Sequence, residues 1–271
     1  MLSSNQVYNE SCITGMQKMN EGSVDLVVTS PPYDNLRTYN DSSTWSFDVF
    51  TQVADELIRV LKPGGVIMWN VNDAVVDGSE TGTSFRQALY FKDHGLNLHD
   101  TMIYQKPSAA YPASDKSNRY SQVFEYCFIL SKGKPKTVNL IRDRENRWAG
   151  TKNFGTPTSR QKDGSLKKSK QLTVSTLGIR DNIWRIINSR GFGQSDNDVY
   201  NHPATMPEEL ARGHILSWSN PDDLVLDPFM GSGTTARMAF REGRNWIGFE
   251  IDKEYYDLCV KHTTFNSVFD L

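Results

Sequence analysis

The sequence predicts an α/β fold: a doubly wound, mostly parallel sheet of Rossmann-like construction carrying a basic insertion. Three observations predict it. Between residues 23 and 71 a valine-rich run, an amphipathic stretch and a second apolar run follow one another, an order that implies parallel pairing. The same alternation returns between 223 and 252. Between these halves, from about 131 to 200, the pattern dissolves into Lys, Asn, Ser, Thr and Gly.

Each element has a local reason. "SVDLVVTS" (23–30) is too short for a helix and rich in valine, so it reads as a buried strand. "FDVFTQVADELIRVLKPGG" (47–65) places Phe50, Val53, Ala54, Leu57, Val60 and Leu61 at helical steps, with Pro63, Gly64 and Gly65 as its stop. "GVIMWNV" (65–71) is the next strand. "FRQALYFKDHG" (85–95) reads as a helix, and "TMIYQK" and "VFEYCFILS" as strands. Within the insertion only "DNIWRII" (181–187) looks ordered. In "HPATMPEELARGHILSWS", Thr205 suits a helix cap, Pro207 the first turn, and Glu208 and Glu209 its positive end. "DLVLDPF" (223–229), a glycine turn with a helix, and "NWIGFEID" (245–252) complete the second half. The expected organisation is therefore an α/β domain of 1–130 and 200–271, interrupted at 131–199.

With 271 residues, 38% hydrophobic and 23% charged, the chain has the composition of an ordinary globular protein. No apolar run approaches the roughly 18 residues of a membrane span. The opening "MLSSNQVYNESC" lacks a basic-then-apolar secretory pattern, so the expected location is the cytoplasm. Cys12, Cys127 and Cys259 are far apart and form no CxxC pair, which argues against structural zinc and a disulfide framework.

The net charge of −2 conceals an asymmetry. Residues 131–190 hold 15 Lys and Arg against 4 Asp and Glu, whereas the remainder holds 15 against 28. Such a concentration suits a surface facing a polyanion. Lys167, Lys168, Lys170, Arg180 and Arg185 are the candidate contacts to such a partner. Trp184 fits either a contact to that partner or a small hydrophobic anchor for the insertion.

Two sites carry chemistry. In "VVTSPPYDNLRTYN" (27–40) two prolines end a strand, because neither can donate to a ladder. Ser30, Pro31, Pro32 and Tyr33 thus stand at a C-terminal strand edge, where open α/β sheets bind ligands. The second site is "DPFMGSGTT" (227–235). Gly231 and Gly233 let backbone approach a ligand, yet the stretch lacks the lysine of a P-loop and the chain has no GxGxxG. Glu250 follows Asp227 by 23 residues, at the end of the next strand, where an acid accepts from ribose hydroxyls. Together they suggest an adenosine-bearing cofactor without pyrophosphate, which S-adenosylmethionine fits.

Taken together, "TSPPY" (29–33), "ELIRVLKPGG" (56–65), "HPATMP" (202–207), "DPFMGSGTT" and "GFEID" (248–252), in this order, resemble the exocyclic-amino DNA methyltransferases of bacterial modification systems in their β arrangement. There the catalytic motif precedes the cofactor motif, and the likeness covers about 1–130 and 200–271. It implies S-adenosylmethionine as methyl donor, held by Asp227, Pro228, Phe229, Gly231, Ser232, Gly233, Thr234 and Glu250. It also implies double-stranded DNA as partner and a target-recognition role for the insertion. The Ser30 side chain and the Pro31 carbonyl would accept from the two amine hydrogens, and Tyr33 would stack on a base flipped out of the duplex. No metal and no nucleophilic triad are called for. Where the family often has Gly-Asp early in the chain, "YNESCITGM" offers Glu10 and Ser11, to which no role is assigned.

Serine at the first motif position is commoner in the family's N4-cytosine members, and aspartate in its N6-adenine members; N4-cytosine is the favoured reading and N6-adenine the alternative. A protein-glutamine or RNA amine methyltransferase and a non-catalytic DNA-binding regulator are the rival classes. A homodimer and a cognate restriction endonuclease outside this chain are compatible with the resemblance. Asn35 and Arg37 fit a pocket lining, a phosphate contact or ordinary loop roles. His202 reads as structural and Glu125 as a satisfied polar residue.

Overall fold

A computed structural model describes residues 2–33, 45–109, 113–152, 158–168, 172–186 and 206–264. Asn35, Arg37, Lys170, His202 and Thr205 lie outside them. The chain divides into two compact units, residues 1–139 with 182–271, and residues 140–181.

The larger unit begins with β1 (Gln6–Tyr8), α1 (Cys12–Gln17), β2 (Val24–Thr29), α2 (Phe47–Val60) and β3 (Leu61–Val71). A small hairpin, β4 (Val75–Val76) and β5 (Ser79–Glu80), leads to α3 (Thr83–Asp93), β6 (Asn97–Gln105) and β7 (Phe124–Ser131). The smaller unit contributes β8 (Arg142–Glu145), β9 (Thr158–Arg160), β10 (Leu166–Lys168) and β11 (Leu177–Ile179). The larger unit resumes with β12 (Ile183–Arg185), α4 (Glu208–Trp218), β13 (Leu224–Asp227), α5 (Thr234–Arg241), β14 (Asn245–Phe249) and α6 (Lys253–Thr263).

Among the described residues eight strands form the main sheet in the order β1-β14-β13-β2-β3-β7-β6-β12. Only β7 runs antiparallel to its neighbours β3 and β6; the other pairs are parallel. Helix α2 packs on α1 and α3, while α5 packs on α4 and α6. The core centres on Phe50, Trp69 and Phe91, whose rings meet edge to face at 5.3–5.8 Å. The Trp69 indole N–H donates to the buried Gln87 at 2.8 Å, so this polar atom is satisfied inside the core.

Helix α2 starts where Ser46 accepts from the Val49 N–H at 3.2 Å, and all of Phe50, Val53, Ala54, Leu57 and Val60 are buried. Its end differs from the expectation. Leu61 is already extended and opens β3, which includes Pro63, Gly64 and Gly65. Proline at 63 disfavours helical backbone at 62, and Gly64, at φ +80°, lets the strand begin beside Lys132 and Lys136. Helix α4 likewise starts after Pro207, which sits at the cap position and not in the first turn.

The separate unit is narrower than the expected 131–199. Residues 131–139 and 182–186 belong with the main sheet's unit, where β12 pairs with β6. Arg185 is therefore a main-sheet residue, and its neighbour Trp184 is buried, stacked on His214 with ring centroids 4.7 Å apart. This is the hydrophobic-anchor alternative for Trp184. In the smaller unit β8 pairs with β11 and β9 with β10, both antiparallel and largely exposed. No helix of the described residues is long and apolar enough to cross a membrane.

Candidate active site

Strands β2 and β13 are hydrogen-bonded neighbours, Val225 opposite Leu26 and Leu226 opposite Val27. Parallel pairing brings the C-terminal ends of both strands to one sheet edge, so "SPPY" and "DPFMGSG" leave the sheet side by side. Thr29 Oγ1 donates to Asp227 Oδ1 at 2.6 Å and joins them directly. The Phe229 N–H donates to the same oxygen at 3.0 Å. Burial pushes the Asp227 carboxyl above its ordinary value, while the bonds from Thr29, Thr235 and the Phe229 N–H pull it down. Asp227 is a buried staple between two strands.

The glycine turn folds back on β14. The Met230 N–H donates to the Phe249 carbonyl at 2.9 Å, and the Gly231 N–H to Glu250 Oε2 at 2.9 Å. Glu250 Oε1 accepts from the Asp252 N–H at 2.9 Å. Gly231 and Gly233 take φ of +54° and +89°, a region that favours glycine. A Cβ at Gly233 would come within 3.0 Å of Cys259 Sγ and Thr263 Cγ2. Phe229 is half-buried, with Trp45 edge-on to its ring at 5.3 Å. Pro228, Ser232 and Thr234 are buried in the same turn.

The residues before β2, which the sequence left without a role, support this place. The Glu250 N–H donates to the Tyr8 carbonyl at 3.0 Å, and the Asn9 side chain donates to the Glu250 carbonyl at 2.9 Å. Cys12 stands close enough to Glu250 and Asp227 to feel both charges; burial is the main cause that pushes its thiol up to about 12. All three cysteines are free thiols.

At the other motif, Ser30 is partly exposed and Pro31 buried. Ser30 Oγ donates to the Tyr33 hydroxyl at 2.9 Å, which donates in turn to Glu125 Oε2 at 2.9 Å. Tyr33 is only 8% exposed and its ring packs in the main core, so its environment engages the hydroxyl and leaves little of the ring face open. Lys106 Nζ pairs with Glu125 Oε1 at 2.6 Å. Neither Lys106 nor Glu125 stands in a sequence motif; their partnership with Tyr33 arises from the β6–β7 pairing.

A carboxylate has more acceptor sites than the two N–H groups use at Glu250, and the left-handed backbone at Gly231 and Gly233 turns the chain beside it. The donor set thus fits a ribose diol approached by backbone, as an adenosine cofactor requires. Comparison with known proteins agrees. A DNA methylase family matches residues 24–261. The orphan methyltransferase M.BamHII of Bacillus amyloliquefaciens is 54% identical over 244 residues, 90% of this chain and 89% of the relative. The chain belongs to the DNA methylase family.

The methylase also shares its fold with solved structures. The cytosine-N4-specific PvuII DNA methyltransferase superposes with a TM-score of 0.69 at 23% identity, covering 100% of this chain and 90% of that one. M1.HpyAVI, solved as its complex with S-adenosylmethionine, gives 0.62 at 21% identity, covering 95% and 98%. The methylase is thus a DNA methyltransferase of the N4/N6 family, and S-adenosylmethionine is its methyl donor.

Of the expected DNA contacts, Lys167 and Lys168 lie exposed on β10 of the smaller unit. Arg180 forks onto Asp143, with Nε 2.9 Å from Oδ2, and this hydrogen bonding holds the Asp143 carboxyl below its ordinary value. Arg185 is exposed on the other unit.

Proposed function

We propose that this methyltransferase modifies the exocyclic N4 amine of a cytosine flipped out of double-stranded DNA at a specific site. The observation that carries the reading is the Thr29–Asp227 bond, which fastens the catalytic strand to the cofactor strand at their C-terminal ends. An amine must meet a donor methyl at that edge for transfer to occur.

Glu250 would hold the cofactor's ribose, and the turn from Asp227 to Thr234, with Pro228, Phe229, Gly231, Ser232 and Gly233, would receive the rest. The bound cofactor supplies a methyl group already activated as a sulfonium, so the protein's task is positioning. An exocyclic amine is a poor nucleophile because its lone pair is delocalised into the ring. Ser30 Oγ and the Pro31 carbonyl, accepting from the two N–H groups, draw the nitrogen toward tetrahedral geometry and localise that lone pair. Proline's fixed φ holds the second acceptor in place. The nitrogen gains the methyl and then releases a proton. Pro32 completes the rigid turn, and Lys167, Lys168 and Lys170, with Arg185, supply phosphate-facing charge, whereas the charge of Arg180, the remaining candidate, is offset by Asp143.

Serine at position 30 favours cytosine N4 over adenine N6. DNA methylated by the purified enzyme, digested to nucleosides and analysed by mass, is expected to contain N4-methyl-2′-deoxycytidine; N6-methyl-2′-deoxyadenosine alone would overturn the base assignment. Ser30→Ala is expected to slow methyl transfer while S-adenosylmethionine binding persists, and an undiminished rate would overturn the role of Ser30.

A further inference from the structure

A hydroxyl both donates and accepts, so Ser30 can serve as an acceptor for an amine only if its own proton is directed elsewhere. Four residues settle that direction. Glu125 is buried, and the Lys106 ammonium 2.6 Å from Oε1 keeps it in the company of a cation, as an ionised carboxylate that accepts only. Tyr33 has one proton, and the 2.9 Å contact to Glu125 Oε2 takes it. The tyrosine oxygen is then left with lone pairs, and the Ser30 proton points at them across 2.9 Å. The lone pairs of Ser30 Oγ are what remains for a substrate.

We propose that Glu125, paired with Lys106, is a positioning residue that acts through the Tyr33 hydroxyl to fix Ser30 as an acceptor toward the base amine. The inference rests on the reading of Ser30 as an amine acceptor. It gives Tyr33 work through its oxygen, consistent with a ring sunk in the core. The two ends of the relay come from neighbouring strands: Glu125 faces Tyr104 in the β6–β7 register, and the Lys106 N–H donates to the Val123 carbonyl at 2.7 Å, just beyond that pairing. Replacing Glu125 by glutamine lets an amide N–H donate to the tyrosine oxygen. The tyrosine proton then turns toward Ser30, and the serine proton toward the substrate amine, where it repels a donor.

The test compares Ser30→Ala, Tyr33→Phe, Glu125→Gln and the Tyr33→Phe/Glu125→Gln double variant in the full chain. Turnover on a DNA duplex is measured alongside equilibrium binding of S-adenosylmethionine and of DNA. The expected result is a turnover loss of about tenfold or more in Tyr33→Phe and in Glu125→Gln, the scale for an orienting partner behind a reacting group, with both affinities unchanged. The double variant should turn over like Tyr33→Phe alone, because Glu125 acts only through that hydroxyl. A merely structural role would lower the affinities for S-adenosylmethionine and DNA along with turnover. A Ser30→Ala enzyme at full rate would remove the underlying reading. A slow Ser30→Ala enzyme beside a Tyr33→Phe enzyme at full rate would overturn the relay and leave that reading intact. A Glu125→Gln loss that persists undiminished in the Tyr33→Phe background would also overturn it. Should Glu125→Gln fail to fold, Tyr33→Phe, which removes one oxygen and keeps the ring, decides by its rate.

Discussion

The Thr29 hydroxyl donates to the Asp227 carboxylate at 2.6 Å, linking residues 198 positions apart in the chain. Both are buried, and both end strands of the same parallel pair. The bond therefore does two things: it satisfies a charge that burial disfavours, and it fixes the spacing between the two functional turns.

Thr29→Val keeps the shape and removes the donor. A buried carboxylate short of one bond is expected to cost about 1–3 kcal/mol of stability. The loss should be largest at pH values where Asp227 is ionised, and smaller in acid, where it is protonated. The sign follows from the cause: the Thr29 bond pulls down the Asp227 pKa that burial raises, so its removal penalises the ionised form and leaves the protonated one little affected. Urea unfolding of both proteins across the acid range checks this, and an equal loss at every pH would count against Asp227 as the partner that matters.

Glu250 is expected to govern cofactor affinity. Glu250→Gln loses a charge-assisted acceptor worth about 1.5–3 kcal/mol, which is about tenfold or more in Kd. Because burial raises the Glu250 pKa above 4.5, with the Asp252 and Gly231 N–H groups opposing, native affinity should weaken as pH falls through that raised value. The variant should lose this acid-side dependence. Calorimetric titration with S-adenosylmethionine measures both, and an unchanged Kd would sink the assignment.

Local patterns carried most of the fold into view, since valine runs, a capped amphipathic helix and glycine turns each leave a short-range trace. Where they misled, the reason is physical. Leu61 continues the helical spacing, but Pro63 forces extended backbone on its approach, so the strand opens there. The strands β8 to β10 are short, exposed and mostly polar, and β11, Leu177–Ile179, has only three residues, too few for an apolar periodicity to show. Ser30, Asp227 and Glu250 stand in motifs and could be named. Glu125 and Lys106 could not, because their meeting with Tyr33, 92 positions from Glu125, depends on how β7 is paired in the sheet. A solitary Glu in an apolar strand was the available signal, and it also fits a satisfied polar residue.

His214 offers a test of the core. It is buried on α4 against Trp184, neither ring nitrogen has a hydrogen-bond partner among the described residues, and burial pushes its pKa down to about 3. The unfolded chain takes up a proton near the ordinary value of 6.5, whereas the folded chain does not until about 3. Stability should therefore fall as pH drops below 6.5, by up to about 1.4 kcal/mol per pH unit from this group. His214→Phe preserves the stack and removes the titration. Comparing urea unfolding at about pH 7 and about pH 5.5 should show a smaller acid loss in the variant than in the native protein; equal losses would mean His214 has a partner that stabilises its charge.

The basic unit makes a quantitative prediction about DNA. Lys167 and Lys168 are exposed on one short strand, while Arg180 is already engaged by Asp143. Charges that meet phosphate displace counterions, and each steepens the fall of log K with log salt by about 0.9. Lys167→Ala/Lys168→Ala should therefore weaken binding and flatten the slope by about 1.8, if both lysines face phosphate. An arginine whose charge is offset by its own carboxylate adds little to that slope, so Arg180→Gln/Asp143→Asn should leave it near the native value. Fluorescence anisotropy with a duplex at several salt concentrations distinguishes the pairs. A native slope in the lysine variant, or a flattened one in the Arg180 and Asp143 variant, would relocate the phosphate contacts.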